Sequence, residues 1–425
     1  MPQQKFPTLV MRFSYLCEIT YISSSTVKDK DFVFIGNQPW DIPIGSNCKN
    51  IAREVARHNR VLYVNKPLSY NTLWRHKKED KEFINRRKDV LKGNAEPLKH
   101  IENGLYTFDP PVLLNSINWM PDGFIYDFLN KRNNCKLHNA IKEQAEHLDM
   151  QDFYLFNDSE MFLGFYAQQM LQPRKAIYYS RDNLTSTGYF KRHGVRTEPK
   201  IIADYDLATA NSLYLKDYCA RFNRNSFYVG QGCDLSIFNP EKKFTQPVDF
   251  KDIKRPIIGY IGALLQLRLD IPLLEKLAAR RPKWSFVFIG PEDEHFKRST
   301  LHQMNNMHFL GSKKPEELAE YLYPFDVAMN PQAVNPMTIG NYPRKIDEYL
   351  AMGKPTVTTS TRAMEIFKDH VYLATDLDSY EKKIERALRE HTPQLERKRI
   401  AFAQSHSWEN SVAEIYRAIE QVEDI

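Results

Sequence analysis

Cysteine is scarce in this chain. Cys17, Cys48, Cys135, Cys219 and Cys233 are odd in number and contain no C-x-x-C pair. That composition argues against a disulfide framework or a zinc site and for a reducing compartment. No apolar run approaches the roughly 20 residues that a membrane-spanning helix needs. The partly apolar stretch from Phe6 to Ile22 is broken by Arg12 and Glu18, so it lacks a clean signal-peptide core. There is no solenoid-type repeat and no low-complexity tract. The full G-x-G-x-x-G fingerprint is missing, which counts against NAD binding. No D-x-D run stands out at a strand end; Asp376-Leu377-Asp378 precedes a helical pattern and reads as its cap, so no metal site is expected. The net charge of +6 is mild and no nucleic-acid motif is present, which disfavours a nucleic-acid partner.

What remains is globular. A hydrophobic content of 42% and 12% aromatic residues provide a sizeable core, and 425 residues suit two domains. Two β/α blocks are visible. The first opens on the buried-strand pattern Asp31–Gly36, followed by a helical pattern at 47–58 and a strand at 60–64. Strand, helix, strand predicts a right-handed parallel unit. Further strands are predicted at 153–156, 175–179, 207–210 and 226–229. The second block opens at Pro256–Gly262, with a helix at 270–280 and strands at 284–290, 308–311, 325–329 and 356–359. The polar run at 236–255 holds Pro240 and Pro247 and reads as a linker. Residues 1–30 match no recognised pattern and read as an extension, with Met11 an alternative start.

Basic residues concentrate in one segment. Arg75, His76, Lys77, Lys78, Lys81, Arg86, Arg87, Lys88 and Lys92 are interleaved with Trp74, Phe83, Ile84, Val90 and Leu91. Such a segment can lie on anionic lipid headgroups. Glu79, Asp80, Glu82 and Asp89 dilute it, which favours an ordinary solvated helix or loop.

The most informative stretch is Tyr342 to Val357, Y-P-R-K-I-D-E-Y-L-A-M-G-K-P-T-V. Pro343 suits the first position of a helix, and Gly353 a C-terminal cap about three turns on. Lys345 and Glu348 are three apart and share a face. A cation near a helix N-terminus favours phosphate, and a carboxylate suits the vicinal hydroxyls of a ribose. Together they predict a reader of a sugar nucleotide. The structural alternative is one i,i+3 pair on an amphipathic helix.

The run P-x-K-x-x-E-Y-L-A-x-G-K-P resembles the donor-site signature of group 1 glycosyltransferases, family 4 and its relatives. Supporting resemblances occur at Ala208–Ser212, Gly230–Phe238, Tyr321–Met329 and Ser405–Glu409; they are strong over 200–425 and weaker before. The resemblance implies an α/β fold of the GT-B kind, two Rossmann-like β/α/β domains facing a cleft. It implies an acceptor-binding domain at 31–235, a nucleotide-sugar-binding domain at 256–404, and a helix at 405–425 crossing back to the first. Glu348 then binds the nucleotide ribose and Lys345 lies near the diphosphate.

The implied activity is metal-independent, retaining transfer of a sugar to a glycan or lipid-linked acceptor. The setting is bacterial surface-polysaccharide assembly in the cytoplasm or at the inner face of the membrane, with no cofactor beyond the nucleotide-sugar donor. Gly262 and Ala263, ending the first strand of the second block, offer backbone N–H groups to phosphate. Arg268 is the one candidate for the cationic pair that follows this loop in many relatives. The Glu often found eight positions before the ribose Glu is Gly340 here, so sugar contacts fall to backbone and to Asn341 or Tyr342. Those departures motivate a rival reading, a non-catalytic GT-B scaffold or partner subunit; a sugar-nucleotide epimerase, which shares the fold and its cleft, is a third. In the first block Asp41, Asp158 and Asp182 end or follow strands and are candidates for the base or the acceptor contact, and Trp40 for sugar stacking.

Overall fold

The computed structural model describes residues 25–42, 45–74 and 81–423. Residues 1–24, the alternative start at Met11 and the basic run 75–80 lie outside the described residues. The chain divides into two compact units. One runs to Gly230 and takes back the last helix; the other is Gln231–Ser407.

The first unit is built on strands β1 (Asp31–Gly36), β2 (Arg60–Val64), β3 (Leu98–Glu102), β4 (Leu105–Phe108), β5 (Phe153–Asp158), β6 (Lys175–Ser180), β7 (Leu207–Ala210) and β8 (Ser226–Tyr228). They form one sheet in the order β8-β7-β6-β5-β1-β2-β4-β3. All neighbours are parallel except the edge hairpin β3–β4. The central strand β1 alternates Phe32 and Phe34 to one face with Val33 and Ile35 to the other. Both faces are buried, which is why the strand reads as a continuous apolar run. Helices α1 (Asn47–Ala56), α2 (Phe124–His147) and α3 (Gly188–Asp204) belong to this unit. The side chain of Ser46 caps α1 by accepting from the Lys49 N–H.

The second unit is a six-stranded parallel sheet of β9 (Ile257–Ile261), β10 (Ser285–Ile289), β11 (Met307–Phe309), β12 (Val327–Asn330), β13 (Thr356–Thr359) and β14 (Tyr372–Ala374). Its order is β11-β10-β9-β12-β13-β14. Helices α4 (Ile271–Arg280), α5 (Lys345–Ala351), α6 (Leu377–Arg389) and α7 (Pro393–Gln404) accompany it. Asp376 caps α6 by accepting from Ser379 N–H. The stretch 236–255 contributes Phe238 and Phe250 to this unit's core.

The last helix, α8 (Trp408–Glu423), packs in the first unit. It buries Val412, Ile415, Tyr416 and Ile419 on the β1 face that carries Phe32 and Phe34. Fully burying each large apolar side chain contributes about 1.5–3 kcal/mol. Ser25 and Thr26 hydrogen-bond Glu420, and Val27 joins the same core, so ordered packing starts ahead of β1. The chain is thus α/β, with two Rossmann-like sheets.

Candidate functional site

The second sheet reverses its strand order between β9 and β12. Loops leaving a sheet at such a switch point diverge and leave a crevice outside the strand C-termini. Here the two loops are 262–270 and 331–344. They are tied by the Leu269–Gln332 bridge, by Ala333 N–H to Arg268 O at 2.9 Å, and by Asn335 Nδ2 to Leu267 O at 2.8 Å.

The signature helix enters from the second loop and is shorter than its sequence suggests. α5 begins at Lys345, with Arg344 already helical at its N-cap, and Pro343 stands outside it. The first turn is tight, with Ile346 N–H to Pro343 O at 2.9 Å and Asp347 N–H to Arg344 O at 3.0 Å. The far end follows expectation. Gly353 adopts φ +68°, its N–H bonds Leu350 O, and Lys354 N–H bonds Tyr349 O. That pair of bonds is a Schellman cap.

Two contacts hold α5 in place. The Tyr349 hydroxyl accepts from Ile261 N–H at 2.8 Å and donates to Ile261 O at 3.2 Å, locking the helix to the end of β9. Asp347, fully buried, accepts from Tyr342 Oη at 2.8 Å and bonds His406 Nδ1 at 2.6 Å. Cys233 Sγ donates to the same carboxylate at 3.2 Å. The buried Tyr342 hydroxyl therefore serves this anchor.

The outward residues are then set. Lys345 Nζ lies 4.2 Å above the Tyr260 ring and donates to its hydroxyl. It stands beside Gly262, where an added Cβ would fall 2.8 Å from Nζ. Gly262 has φ +146°, and its N–H is given to Ile289 O, while the Ala263 N–H has no acceptor among the described residues. Gly290 has φ +147° and packs so closely that a Cβ there would meet Gly262 O at 2.0 Å, which fixes the turn. Glu348 is half-buried, and its carboxylate makes no hydrogen bond among the described residues. Burial raises its carboxyl above the usual range, opposed by the charges of Arg344 and Lys345. Arg268 is exposed and makes no ion pair among the described residues. The Asn341 side-chain oxygen is buried and has no hydrogen-bond partner among the described residues. The structure thus gathers Gly262, Ala263 and Lys345 at one point, with Glu348 on the same short helix. It turns Tyr342 inward.

In the first unit the three candidate acids separate. Asp158, at the end of β5, is fully buried against Arg181 Nε at 2.8 Å. Burial raises its carboxyl, and Arg181 opposes that rise. Asp182 lies 3.8 Å from the same guanidinium with 42% of its side chain exposed. Asp41 pairs instead with Arg87 at 3.0 Å, and Arg87 and Arg86 are both drawn onto buried Asp109. Two cations of the basic segment therefore face inward. Trp40 sits edge-on to Tyr63, with Arg53 5.1 Å from its ring, so that ring is partly covered.

A cavity of about 650 Å³ opens in this unit. Its lining includes Lys66, Trp119, Tyr126, Glu160, Tyr189 and Arg192, and none of Asp41, Asp158 or Asp182. Glu160 accepts from the N–H groups of Phe162 and Leu163 with one oxygen, and Lys66 lies 3.2 Å from the other. Sequence reasoning passed over Glu160. The available signal was its place two residues after the strand-ending Asp158.

The model of the family "Glycosyl transferases group 1" matches residues 255–390. A Bacillus subtilis (strain 168) protein, TuaH, assigned by name to teichuronic acid biosynthesis as a glycosyltransferase, is 28% identical over 204 residues. The match covers 45% of this chain and 50% of TuaH, so the chain spans half the length of that curated relative. Among solved structures, sucrose-phosphate synthase from Thermosynechococcus elongatus superposes with TM-score 0.58 at 13% identity, over 93% of this chain and 100% of that one. Anabaena HepE in complex with UDP-glucose gives 0.55 at 14%, over 93% and 100%. The trehalose 6-phosphate synthase of Burkholderia multivorans gives 0.61 at 11%, over 93% and 98%. At such identities these likenesses establish the fold, which is GT-B. The stretch matched by the group 1 glycosyltransferase model, 255–390, carries the β9 turn and the signature helix.

Proposed function

We propose that this protein transfers a glycosyl group from a nucleoside-diphosphate sugar to a glycan or lipid-linked acceptor in bacterial surface-polysaccharide assembly. The observation that carries the reading is the pairing on α5. A cation at Lys345 stands beside a glycine turn whose Ala263 N–H has no acceptor among the described residues, and one turn on along the same helix the Glu348 carboxylate makes no hydrogen bond among them. In this reading the ribose hydroxyls donate to Glu348. Lys345 and the Ala263 N–H receive the diphosphate, whose negative charge grows as the anomeric C–O bond breaks. Lys345 holds that charge without a metal ion. Asn341 offers its unpartnered buried oxygen to the sugar.

On the acceptor side Asp182 is the most accessible of the three acids, and Asp158 acts by holding Arg181. The new bond joins the acceptor oxygen to the anomeric carbon, and the hydroxyl proton passes to a carboxylate. Retention at that carbon and a cytoplasmic setting, peripheral to the membrane, complete the proposal. HepE, whose solved complex contains UDP-glucose, supports a nucleotide-sugar donor by fold analogy.

The test is a panel of nucleotide sugars, scored for thermal stabilisation and for slow hydrolysis by the purified protein. One donor that stabilises and is turned over supports transfer. Binding with neither transfer nor hydrolysis across broad acceptor panels supports a scaffold. Conversion to an epimeric sugar nucleotide supports an epimerase.

A further inference from the structure

The mechanism leaves one conspicuous surface unused. At the start of α2, Phe124, Ile125 and Phe128 are 84%, 65% and 58% exposed, and Trp119 in the loop before them is 70% exposed. Tyr189 and Val195 on α3 add 55% and 59%. These residues lie on one stitched substructure. Asn118 Nδ2 donates to Tyr189 O at 3.0 Å, and Arg192 donates to Trp119 O. Arg196 on α3 bonds both Asp122, just before α2, and Asp127, in its first turn, and the His193 ring stacks on Tyr126 at 3.6 Å. Large apolar side chains this exposed, and this close together, mark an interaction surface rather than scattered surface residues.

The charges around the patch say what covers it. Lys131 and Arg132, one turn further along α2, are exposed, as are Lys191 and Arg192 on α3. None of the four makes an ion pair among the described residues. The neighbouring acids, Asp122 and Asp127, share Arg196, which offsets one of their two charges. The patch is therefore aromatic and aliphatic, with cations in excess of acids around it. That combination suits the interface of an anionic bilayer, where Trp and Tyr settle at headgroup level and Lys and Arg meet lipid phosphates.

We infer that this end of the first unit docks on an anionic membrane through Trp119, Phe124, Ile125 and Phe128, and so presents the 650 Å³ cavity at headgroup level. Trp119 and Tyr189 belong both to the surface and to the cavity lining, which joins the two. A cavity placed there, with Lys66 and Arg192 in its wall, fits an acceptor whose anionic head is tethered to lipid. That last step rests on the proposed glycosyl transfer; the docking surface does not. It also differs from the basic segment near residue 80, whose Arg86 and Arg87 are drawn inward.

The test is sedimentation of the full chain with vesicles of phosphatidylcholine alone, or with about one-third phosphatidylglycerol. Parent protein is expected to bind the anionic vesicles at least ten-fold more tightly than the neutral ones. The triple variant F124S/I125S/F128S should lose at least ten-fold of that binding while keeping the parent melting temperature, because those side chains are solvent-exposed. K131E/R132E should lose anionic binding as well. Parent that fails to bind anionic vesicles, or a triple variant that binds like the parent, overturns the inference. So does a parent that is dimeric by light scattering and becomes monomeric in the triple variant, since a second copy would then cover the patch. None of these readouts requires donor turnover, so failure here is distinct from failure of the proposed function.

Discussion

Gly262→Ala offers the sharpest separation of site from scaffold. The residue holds φ +146°, and a Cβ would sit 2.8 Å from Lys345 Nζ and 2.9 Å from Tyr260 Oη. Two effects follow. Backbone strain for a non-glycine residue there costs about 1–3 kcal/mol of stability. The methyl group also displaces the lysine head from its seat above Tyr260. Losing a charge-assisted contact to diphosphate is worth about 1.5–3 kcal/mol, or roughly 10–150-fold in affinity. Free nucleoside, which lacks the phosphates, should bind as it does to the parent. Gly353→Ala is the control. It is also strained, at φ +68°, and its Cβ would meet Glu396 at 2.3 Å, at the opposite end of α5 from Lys345. The assay is calorimetric titration of both variants with nucleosides and nucleoside diphosphates, beside denaturant melts. Equal diphosphate affinity in parent and Gly262→Ala would refute the reasoning. An equal loss in Gly353→Ala would refute it too, because the effect would then be general destabilisation.

Four further substitutions have expected outcomes. Lys345→Met should weaken nucleoside-diphosphate binding about 10-fold or more and lose much of its salt dependence, leaving nucleoside binding unchanged in the same titration. Asp182→Asn should lower turnover by roughly 10²–10⁴-fold with donor affinity preserved. Asp158→Asn should instead cost about 3–5 kcal/mol in denaturant melts, because it strands a largely buried Arg181; the reverse pattern would exchange their roles. His138 is fully buried on α2, and burial lowers its imidazole to about 4. As pH falls through 6.5 the unfolded chain takes up a proton that the folded chain refuses until about 4, so up to ~3 kcal/mol of stability is lost over that window. His138→Leu should flatten acid melts between those values, and an unchanged slope would dismiss His138 as the cause.

The second unit was more legible in sequence than the first, for identifiable reasons. Its strands are continuous apolar runs ending in glycine, and the α5 signature carries its cap and its chemistry in a single run. The helix was overestimated because Pro343 suits an N1 position, whereas the chain enters through a tight turn with Arg344 at the cap. Helix α2 escaped notice because its buried face carries Asn130, Asn133, Asn134 and His138, which erase the apolar periodicity. Those asparagines bond backbone groups such as Phe162 O and Asn115 O, so burial there is polar by design of the packing. The β3–β4 hairpin did leave a signal, Asn103-Gly104, with Gly104 at φ +72°. The cavity that Glu160 lines was invisible because its walls come from segments far apart in the chain. Tyr342 could not be assigned to the anchor without seeing Asp347 and His406 converge on it.

The central claim is that the Glu348 carboxylate reads the nucleotide ribose. Its most direct test is the dissociation constant of the preferred nucleotide sugar, and of the corresponding nucleoside, for Glu348→Ala against parent. Loss of a hydrogen bond to this charged acceptor predicts about 1.5–3 kcal/mol, roughly 10–150-fold weaker binding of both ligands, with an unchanged melting temperature in the absence of ligand. Glu348→Ala that binds nucleoside and nucleotide sugar as tightly as the parent would contradict the account and leave α5 a purely structural helix.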